Sequence, residues 1–219
     1  MTEKRLERLR KGGVLRDTLV QIRASKRSPV SIILVGVDAA LVYIVVKLFG
    51  RLAYQGRYLR GKWFAHFWSP GWRWAFNGMF RKLFTGHGRG IPWPVGRDCD
   101  CSRDIDFQPN ELNNFQVPTY YQAFGGTRIT IGHNVWIARG CCLITTNHDL
   151  ANPEQHLPGK DISLGDHCWL GANVVIMPGV ELGPHTVVGA NAVVTKSFPE
   201  GHCLLAGVPA RRIREIDST

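Results

Sequence analysis

A six-residue period runs through the chain from Ile162 to Val194, and few folds accommodate such a repeat. An aliphatic residue, usually followed by glycine, recurs at every sixth position, and a small or β-branched residue follows four positions after each of the first five. Neither the 3.6-residue period of a helix nor the alternation of a simple strand matches this spacing. The repeat is typical of a parallel β-helix, in which each hexapeptide forms one short strand and one corner, and three hexapeptides form a coil.

Glycine and asparagine recur at the expected corners of the predicted coil. The tripeptide Gly-Ala-Asn occurs at residues 171–173 and again at residues 189–191, a separation of three hexapeptides. Glycine and asparagine adopt positive φ at low cost, so they suit the turns between strands. We therefore expect equivalent corners to stack in successive coils.

The period begins earlier, at Ile131, and is interrupted between Ile144 and Asp161. The interrupting segment is polar and contains two prolines and two histidines, His148 and His156. Insertions in a solenoid leave the stack as loops on one face, and such loops often carry the binding site. The sequence therefore predicts coils, an excursion that carries His148, and further coils.

Seven short segments occur in the order found in a known family: 130–134 (TIGHN), 146–149 (TNHD), 168–171 (CWLG), 178–180 (PGV), 188–190 (VGA), 193–196 (VVTK) and 207–211 (GVPAR). Through them the chain resembles the left-handed β-helix, hexapeptide-repeat acyltransferases, which use acetyl-CoA to O-acetylate sugars. It is similar to maltose and galactoside acetyltransferases and to those of exopolysaccharide and capsule biosynthesis. The resemblance implies an all-β, left-handed parallel β-helix over residues 105–219. It also implies a homotrimer with active sites between adjacent subunits.

The resemblance places the catalytic base at His148. A hydroxyl that attacks a thioester must lose its proton, and an unperturbed imidazole suits this role because it titrates near working pH. His156 is a loop residue that could support the base, whereas three other histidines are interpreted as solvated corner residues: His133, His167 and His185. The group that orients His148 is left open between Asp149, Glu154 and a backbone carbonyl.

The resemblance also assigns residues to the two substrates. For the acetyl-CoA donor they are Trp169 at the thioester, Ala190, Thr195 and Lys196 along the groove, and Arg211 and Arg214 near the nucleotide. For the acceptor sugar they are Asn113, Asn114 and Asp149. Simpler interpretations stay open, namely an exposed tryptophan at a subunit contact, a solvated basic terminus and turn-forming asparagines. No metal is expected.

Charge is distributed unevenly along the chain. Residues 1–97 carry 19 Lys and Arg against 4 Asp and Glu, a net charge of +15, whereas residues 98–219 carry 8 against 13, a net charge of −5. Basic residues of the first part alternate with tryptophan and phenylalanine, which is typical of a membrane interface and favours a membrane over nucleic acid as its partner. We predict a helical membrane-associating region over residues 1–84, a Gly-, Pro- and Arg-rich linker over residues 85–104, and the β-helix over residues 105–219.

An apolar run over residues 30–46 is at the lower limit for a membrane span, and it contains Asp38. Both flanks are basic, so the charge rule for orientation gives no direction. Because acetyl-CoA is cytosolic, we expect a monotopic or re-entrant helix at the cytoplasmic face of the membrane. A single span and a helix buried against a partner are left open.

The six cysteines do not form the pattern of a disulfide scaffold, which indicates a reduced cytosolic protein. We therefore expect an O-acetyltransferase that acts on a lipid-linked or polysaccharide precursor. Two alternatives are kept: a non-catalytic membrane-bound β-helix scaffold, and a zinc-dependent hydratase of the carbonic anhydrase type.

Overall fold

The computed structural model describes residues 29–216, and the chain divides into two compact units, Met1–Leu41 and Val42–Thr219. Helix α1 (Pro29–Ala53) contains the apolar run and crosses this division. The stretch that precedes the run, residues 1–28, lies outside the described residues. In the described part of the first unit, Leu34, Val35 and Val37 are exposed. Between residues 29 and 216, no helix combines the length and the apolar character needed to cross a membrane.

The second unit is built on three sheets of short strands, and all pairings are parallel except that of β13 with β14. Sheet A contains β1 (Cys99–Cys101), β3 (Thr119–Gln122), β6 (Cys142–Ile144), β9 (Val175–Ile176) and β12 (Val193–Val194). Sheet B contains β2 (Ile105–Phe107), β4 (Ile129–Ile131), β7 (Ile162–Leu164) and β10 (Glu181–Leu182). Sheet C contains β5 (Trp136–Ile137), β8 (Trp169–Leu170), β11 (Val187–Val188), β13 (Cys203–Gly207) and β14 (Ala210–Glu215). From β4 to β12 the chain visits sheets B, C and A in turn, which confirms the predicted parallel β-helix.

The strand register confirms that three hexapeptides form one coil. Trp169 pairs with Val187 in sheet C, and Val175 pairs with Val193 in sheet A. Trp136 pairs with Trp169, although the whole excursion lies between them in the sequence. The excursion therefore lengthens that coil and leaves the stack without disturbing the register.

Each strand places one residue in the core and its neighbour outside, as the alternation of a strand requires. In β8, Leu170 is fully buried, whereas Trp169 is 55% exposed. The residues four positions after the aliphatic ones also point inward, and Cys168, Val174 and Ala192 are buried. The interior of the coil is thus filled by the two positions of the repeat that the sequence marks as apolar.

The corners adopt the predicted conformation. Asn173 and Asn191 have φ values of 59° and 60°, and the Nδ2 of Asn173 donates to the Oδ1 of Asn191 at 3.1 Å. At another corner His167, His185 and His202 also have positive φ, and their rings stack with centroids 4.7 and 4.9 Å apart. His167 and His185 are therefore corner residues, as predicted, and His133 immediately precedes the corner residue Asn134.

Residues 42–98 pack against the first coil and belong to the same unit as the β-helix. The region contains 3₁₀ turns at Gly56–Leu59 and Lys62–Phe64 and helix α2 (Pro70–Phe84). Trp93 is buried, with its ring centroid 5.3 Å from that of Tyr58 and 5.0 Å from that of Phe107 in β2. The ring centroid of Phe107 in turn lies 4.5 Å from that of Phe115, which belongs to the 3₁₀ helix Pro109–Phe115. These rings close one end of the coil, so residues 42–98 form a cap on the β-helix.

The linker predicted over residues 85–104 is therefore wrong. Ile91, Trp93 and Val95 are buried in the same hydrophobic core as the strands, and β1 begins at Cys99. The boundary predicted after residue 84 also differs from the observed division after Leu41. Glycine, proline and arginine gave this segment the composition of a linker, but the apolar side chains between them are packed.

Replacing Trp93 with alanine is expected to lower the free energy of unfolding by about 3–5 kcal/mol, because the change leaves a cavity among buried rings. Trp68, which is 53% exposed, provides the matched control, and its replacement by alanine is expected to change stability by less than about 1 kcal/mol. Chemical denaturation of both variants measures the difference. Equal losses would show that residues 42–98 do not form the cap of the β-helix.

Candidate active site

The excursion between β6 and β7 is ordered by its own backbone pairing. The N–H of Leu157 donates to the carbonyl of Asn147 at 2.8 Å, and the N–H of Asp149 donates to that of Gln155 at 2.8 Å. This pairing sets His148 opposite His156, and their ring centroids are 4.2 Å apart. The loop thus holds two exposed imidazoles together at one corner of the coil.

The Nδ1 atom of His148 lies 2.6 Å from the carbonyl oxygen of Pro153. A carbonyl oxygen only accepts hydrogen bonds, so Nδ1 carries the ring proton of the neutral imidazole and Nε2 keeps a free lone pair. Of the three orienting groups left open by the sequence, the structure selects a backbone carbonyl over Asp149 and Glu154. The tautomer set by this contact is the one that a general base requires.

Asp149 shapes the loop. Its Oδ1 atom accepts hydrogen bonds from the backbone N–H groups of Ala151 at 2.7 Å and Asn152 at 3.3 Å. Such local bonds are typical of aspartate at a turn. The carboxylate predicted to contact the acceptor therefore has a structural task in the loop that presents His148.

A second turn, residues 123–126, supports the histidine pair. The ring of Phe124 lies 5.0 Å from that of His156, on which His148 packs. The N–H of Phe124 donates to the hydroxyls of Thr127 and Thr145, and these two hydroxyls are 2.6 Å apart. Sequence analysis did not assign these residues, and the pair Gly125-Gly126 after Phe124, which is typical of a turn, was the signal that could have indicated them.

The residues predicted to bind the donor fall into two groups. Trp169 is in the outward row of sheet C, in register with Val187, Leu204 and Arg214. Ala190 follows β11 at the corner between sheets C and A, and Arg211 pairs with Ala206 at the edge of sheet C. Within a protomer these residues share one side of the prism.

Thr195 and Lys196 belong to the second group, because they follow β12 at the corner between sheets A and B. His148 lies in the excursion from that same corner, between β6 and β7. The structure of one protomer therefore brings His148, Thr195 and Lys196 to one corner and places Trp169 on a different face.

The cations of β14 differ in their partners. Arg212 contacts the carboxylates of Glu200 and Glu215 at 3.5 Å each. Arg211 and Arg214 are exposed, and no carboxylate among the described residues lies within salt-bridge distance of either. The two arginines assigned to the nucleotide are thus the ones available to an anionic ligand.

Trp136 is a site candidate that sequence analysis missed. It is in register with Trp169, one coil away on the same face, and the two indoles are 56% and 55% exposed. The Nζ of Lys62 lies 5.7 Å from the ring centroid of Trp136. The six-residue spacing placed an outward residue here, but only the register shows that two tryptophans form adjacent parts of one surface.

The two asparagines assigned to the acceptor have different environments. Asn114 is buried, its Nδ2 donates to the carbonyl of Val135 at 3.0 Å, and its Oδ1 accepts from the N–H of Ile137 at 3.1 Å. Asn113 is half-buried, its Nδ2 donates to the Oδ1 of Asn114 at 3.1 Å, and its own Oδ1 is buried with no hydrogen-bond partner among the described residues. Asn114 therefore joins the 3₁₀ helix to β5, and the acceptor role of Asn113 stays a prediction.

Replacing Asn114 with alanine is expected to lower the free energy of unfolding by about 1–3 kcal/mol, because buried backbone groups lose their partners. Asn113→Ala is the matched control: it removes one side-chain hydrogen bond and leaves the backbone groups of Val135 and Ile137 paired, so it is expected to cost less stability than Asn114→Ala and to raise the KM for the acceptor. Thermal unfolding and steady-state kinetics of the two variants separate these roles. A stable Asn114→Ala protein would contradict the structural role of Asn114.

Two buried thiols of the coil, Cys141 and Cys168, are unsuited to nucleophilic chemistry. Burial raises the pKa of Cys141 and of Cys168 to about 11, so both are protonated at neutral pH. All six cysteines are free in the structure. The exposed pair His148 and His156, and not these two thiols, is therefore suited to acyl-transfer chemistry.

Comparison with known proteins identifies the family. The profile described as “Bacterial transferase hexapeptide (six repeats)” matches residues 161–196. The chain is 42% identical over 129 residues to a protein of Staphylococcus haemolyticus named “Putative acetyltransferase”, and this match covers 48% of the chain and 67% of the relative. The chain belongs to the hexapeptide-repeat acyltransferases. Membership implies the left-handed coil of that family.

Other similarities are shorter. The chain is 42% identical over 96 residues to the galactoside O-acetyltransferase of Escherichia coli K12, and this match covers 41% of the chain and 45% of that enzyme. The chain thus spans about half the length of the first relatives that it matches. A solved galactoside acetyltransferase in complex with coenzyme A has a TM-score of 0.41 at 28% identity, covering 54% of this chain and 64% of that one, a likeness too low to carry a conclusion.

Proposed function

We propose that this hexapeptide-repeat acyltransferase moves an acetyl group from acetyl-CoA to a hydroxyl group of a saccharide. The observation that carries the proposal is the His148 side chain, which is exposed and is held in the tautomer of a base by the Pro153 carbonyl. The named activity of the galactoside relative supports a sugar hydroxyl as the acceptor. The residues of this chain supply what such a transfer needs.

In the proposed reaction, Nε2 of His148 takes the proton of the sugar hydroxyl as its oxygen attacks the thioester carbonyl. The carbon–sulfur bond then breaks, and the CoA sulfur receives the proton from Nε2. The products are an O-acetyl sugar and CoA with a free thiol, and the imidazole returns to its starting state. General base catalysis of this kind contributes about 10²- to 10⁴-fold to a rate.

The face of sheet C suits an elongated donor. Beside the row of Trp169 runs a row of small residues, Ala138, Gly171, Gly189 and Ala206, whose backbones pair from strand to strand. The absence of bulky side chains leaves a shallow strip along the coil. Three strand spacings, about 14 Å, separate the row positions of Trp169 and Arg214. We infer that the pantetheine arm lies along this strip, with the phosphates toward Arg211 and Arg214.

A complete site requires a second subunit in this proposal. His148, Thr195 and Lys196 lie at the corner between sheets A and B, whereas Trp169 lies on sheet C. His148 of one subunit can therefore face Trp169 only on a neighbouring subunit. A closed homotrimer with three equivalent sites satisfies this requirement, and closed cyclic symmetry is usual for such assemblies.

We also infer that the enzyme acts at the cytoplasmic face of a membrane on a lipid-linked or polysaccharide precursor. The net charge of +15 over residues 1–97 favours an anionic surface. Leu48, Leu52 and Phe84 in the second unit are exposed apolar residues of this basic region. Tryptophan, leucine and phenylalanine beside Lys and Arg form the composition of interfacial helices.

The test is transfer of labelled acetyl from acetyl-CoA to two matched acceptors, a free saccharide and the same saccharide on a polyprenyl phosphate in detergent. Label in both products supports acetyl transfer, and a higher rate on the lipid-linked form supports the membrane acceptor. Equal rates would contradict the lipid-linked acceptor alone. Absence of label from every saccharide tested, with folded trimeric protein, would contradict the proposed activity.

A further inference from the structure

Two adjoining cavities lie in the cap. All of their lining residues fall between residues 49 and 92, before the first strand of the β-helix. The first has a volume of about 660 Å³, and its polar lining comes from Arg51, Arg60, Lys82, Tyr54 and Gln55. The second has a volume of about 590 Å³, and its apolar lining comes from Phe49, Leu52, Met79, Phe80 and Leu83. Leu52, Ala53, Lys82 and Gly90 line both. A cationic cavity and an apolar cavity therefore share a wall.

The cations of the first cavity have no acidic partners nearby in the sequence. Residues 39–97 contain ten Lys and Arg and no Asp or Glu. The Nζ of Lys82 contacts the backbone carbonyls of Ala53, at 2.8 Å, and Ile91, and lies 4.3 Å from the ring centroid of Tyr54. Burial lowers the pKa of Lys82 to about 8, so its ammonium group is still mostly charged at neutral pH. The cavity thus presents positive charge that a mobile anion can neutralise.

The second cavity opens among exposed apolar side chains. Leu52 is 86% exposed and Leu83 is 69% exposed, and Phe84 follows at the end of α2. A contiguous apolar surface of this kind on a folded domain marks an interaction site. Arg89 also lines this cavity, so the apolar surface is bordered by cations.

These observations select the ligand. A nucleotide or free phosphate would use the cationic cavity but would leave the apolar one exposed. A molecule with a phosphate head and a hydrocarbon chain matches both cavities, because arginine forms strong paired hydrogen bonds with phosphate.

We infer that the paired cavities bind one anionic membrane lipid, with its phosphate group among Arg51, Arg60 and Lys82 and its hydrocarbon chain in the apolar cavity. This deepens the membrane part of the proposed function and does not depend on acetyl transfer. It assigns a defined site to what composition alone describes as a basic, aromatic surface.

The test is flotation of the full-length protein with phosphatidylcholine vesicles, with and without phosphatidic acid, at physiological salt. Arg51 and Arg60 are exposed and carry no salt bridge among the described residues, so the double variant Arg51→Gln/Arg60→Gln is expected to fold normally. At about 1 kcal/mol per cation, its partition into phosphatidic acid vesicles should fall about thirtyfold. The double variant Arg103→Gln/Arg128→Gln removes the same charge from the β-helix and should lose about twofold or less.

Leu52→Asn/Leu83→Asn tests the apolar cavity and should reduce partition at least tenfold. Soluble inorganic phosphate at a concentration equal to that of the lipid phosphate should not release the protein. Equal losses in the two arginine pairs, release by inorganic phosphate, or no binding of the unaltered protein would each overturn the inference. Acetylation of a free saccharide by the same samples separates lipid binding from acetyl transfer. For Arg51→Gln/Arg60→Gln we expect loss of vesicle binding with normal acetylation. Vesicle binding by the unaltered protein without acetylation would contradict only the proposed activity.

Discussion

Replacing His148 with alanine is expected to lower kcat for acetyl transfer by about 10²- to 10⁴-fold, because the attacking hydroxyl loses its general base. Affinity for acetyl-CoA should stay within about twofold, since the residues assigned to the donor, Trp169, Arg211 and Arg214, are all retained in this variant. Steady-state kinetics with a saccharide acceptor and equilibrium binding of acetyl-CoA measure the two quantities.

His156→Ala is the control for this prediction. His156 stands in the same loop and packs on His148, but its ring is not the one held by the Pro153 carbonyl. We expect a loss of about tenfold or less, from looser positioning of His148. Glu154→Gln should be near neutral, because the structure gives the orienting role to a carbonyl. Similar losses at His148 and His156 would contradict the assignment of the base.

Replacing Leu170 with alanine is expected to lower the free energy of unfolding by about 2–5 kcal/mol. Leu170 is fully buried and lies between Ile137 and Val188 in successive coils, so the smaller side chain leaves a cavity in the centre of the stack. Denaturant unfolding measures the loss.

The matched control is the preceding residue. Trp169→Ala removes a larger side chain, but that side chain points outward, so stability should change by about 0.5 kcal/mol or less. The KM for acetyl-CoA should rise instead. A larger loss of stability at Trp169 than at Leu170 would contradict the inward and outward assignment of the repeat.

The coil was predictable from the sequence because every hexapeptide repeats the same pattern of residue types. Each hexapeptide must place an aliphatic residue in the core and, at the corner, a residue that fits the turn. The period over residues 162–194 therefore identifies the inward positions and the corners together. Register followed from the same constraint, as the stacked asparagines Asn173 and Asn191 show. The corner histidines were also predictable, since they occupy the position that requires positive φ.

The cap was not predictable, because composition does not distinguish a membrane interface from an aromatic core. Trp72 and Trp68 are only four positions apart in a basic stretch, yet the first is buried and the second is exposed. Trp93, between two prolines, had the composition of a linker and instead forms the centre of the ring cluster. Burial here depends on contacts with distant strands, which local sequence does not encode.

Within the candidate site, the sequence allowed us to choose the candidate residues but not to predict their contacts. His148 stood out because it lies in a polar interruption of the repeat, but its hydrogen bond to the Pro153 carbonyl depends on the path of the loop backbone. Asn114 and Asn113 are adjacent and chemically identical, and only the fold shows that the amide of Asn114 joins the backbones of Val135 and Ile137. Trp136 became a candidate only when the register paired it with Trp169.

The most direct test of the account is unfolding of the purified protein with and without acetyl-CoA. At about 100 times its Kd, a ligand that binds only the folded state stabilises it by about 2.7 kcal/mol. We predict stabilisation of this size for the unaltered protein and for His148→Ala, and a smaller one for Trp169→Ala. No stabilisation at any concentration of acetyl-CoA would contradict the assignment of this chain as an acetyl-CoA-dependent acyltransferase.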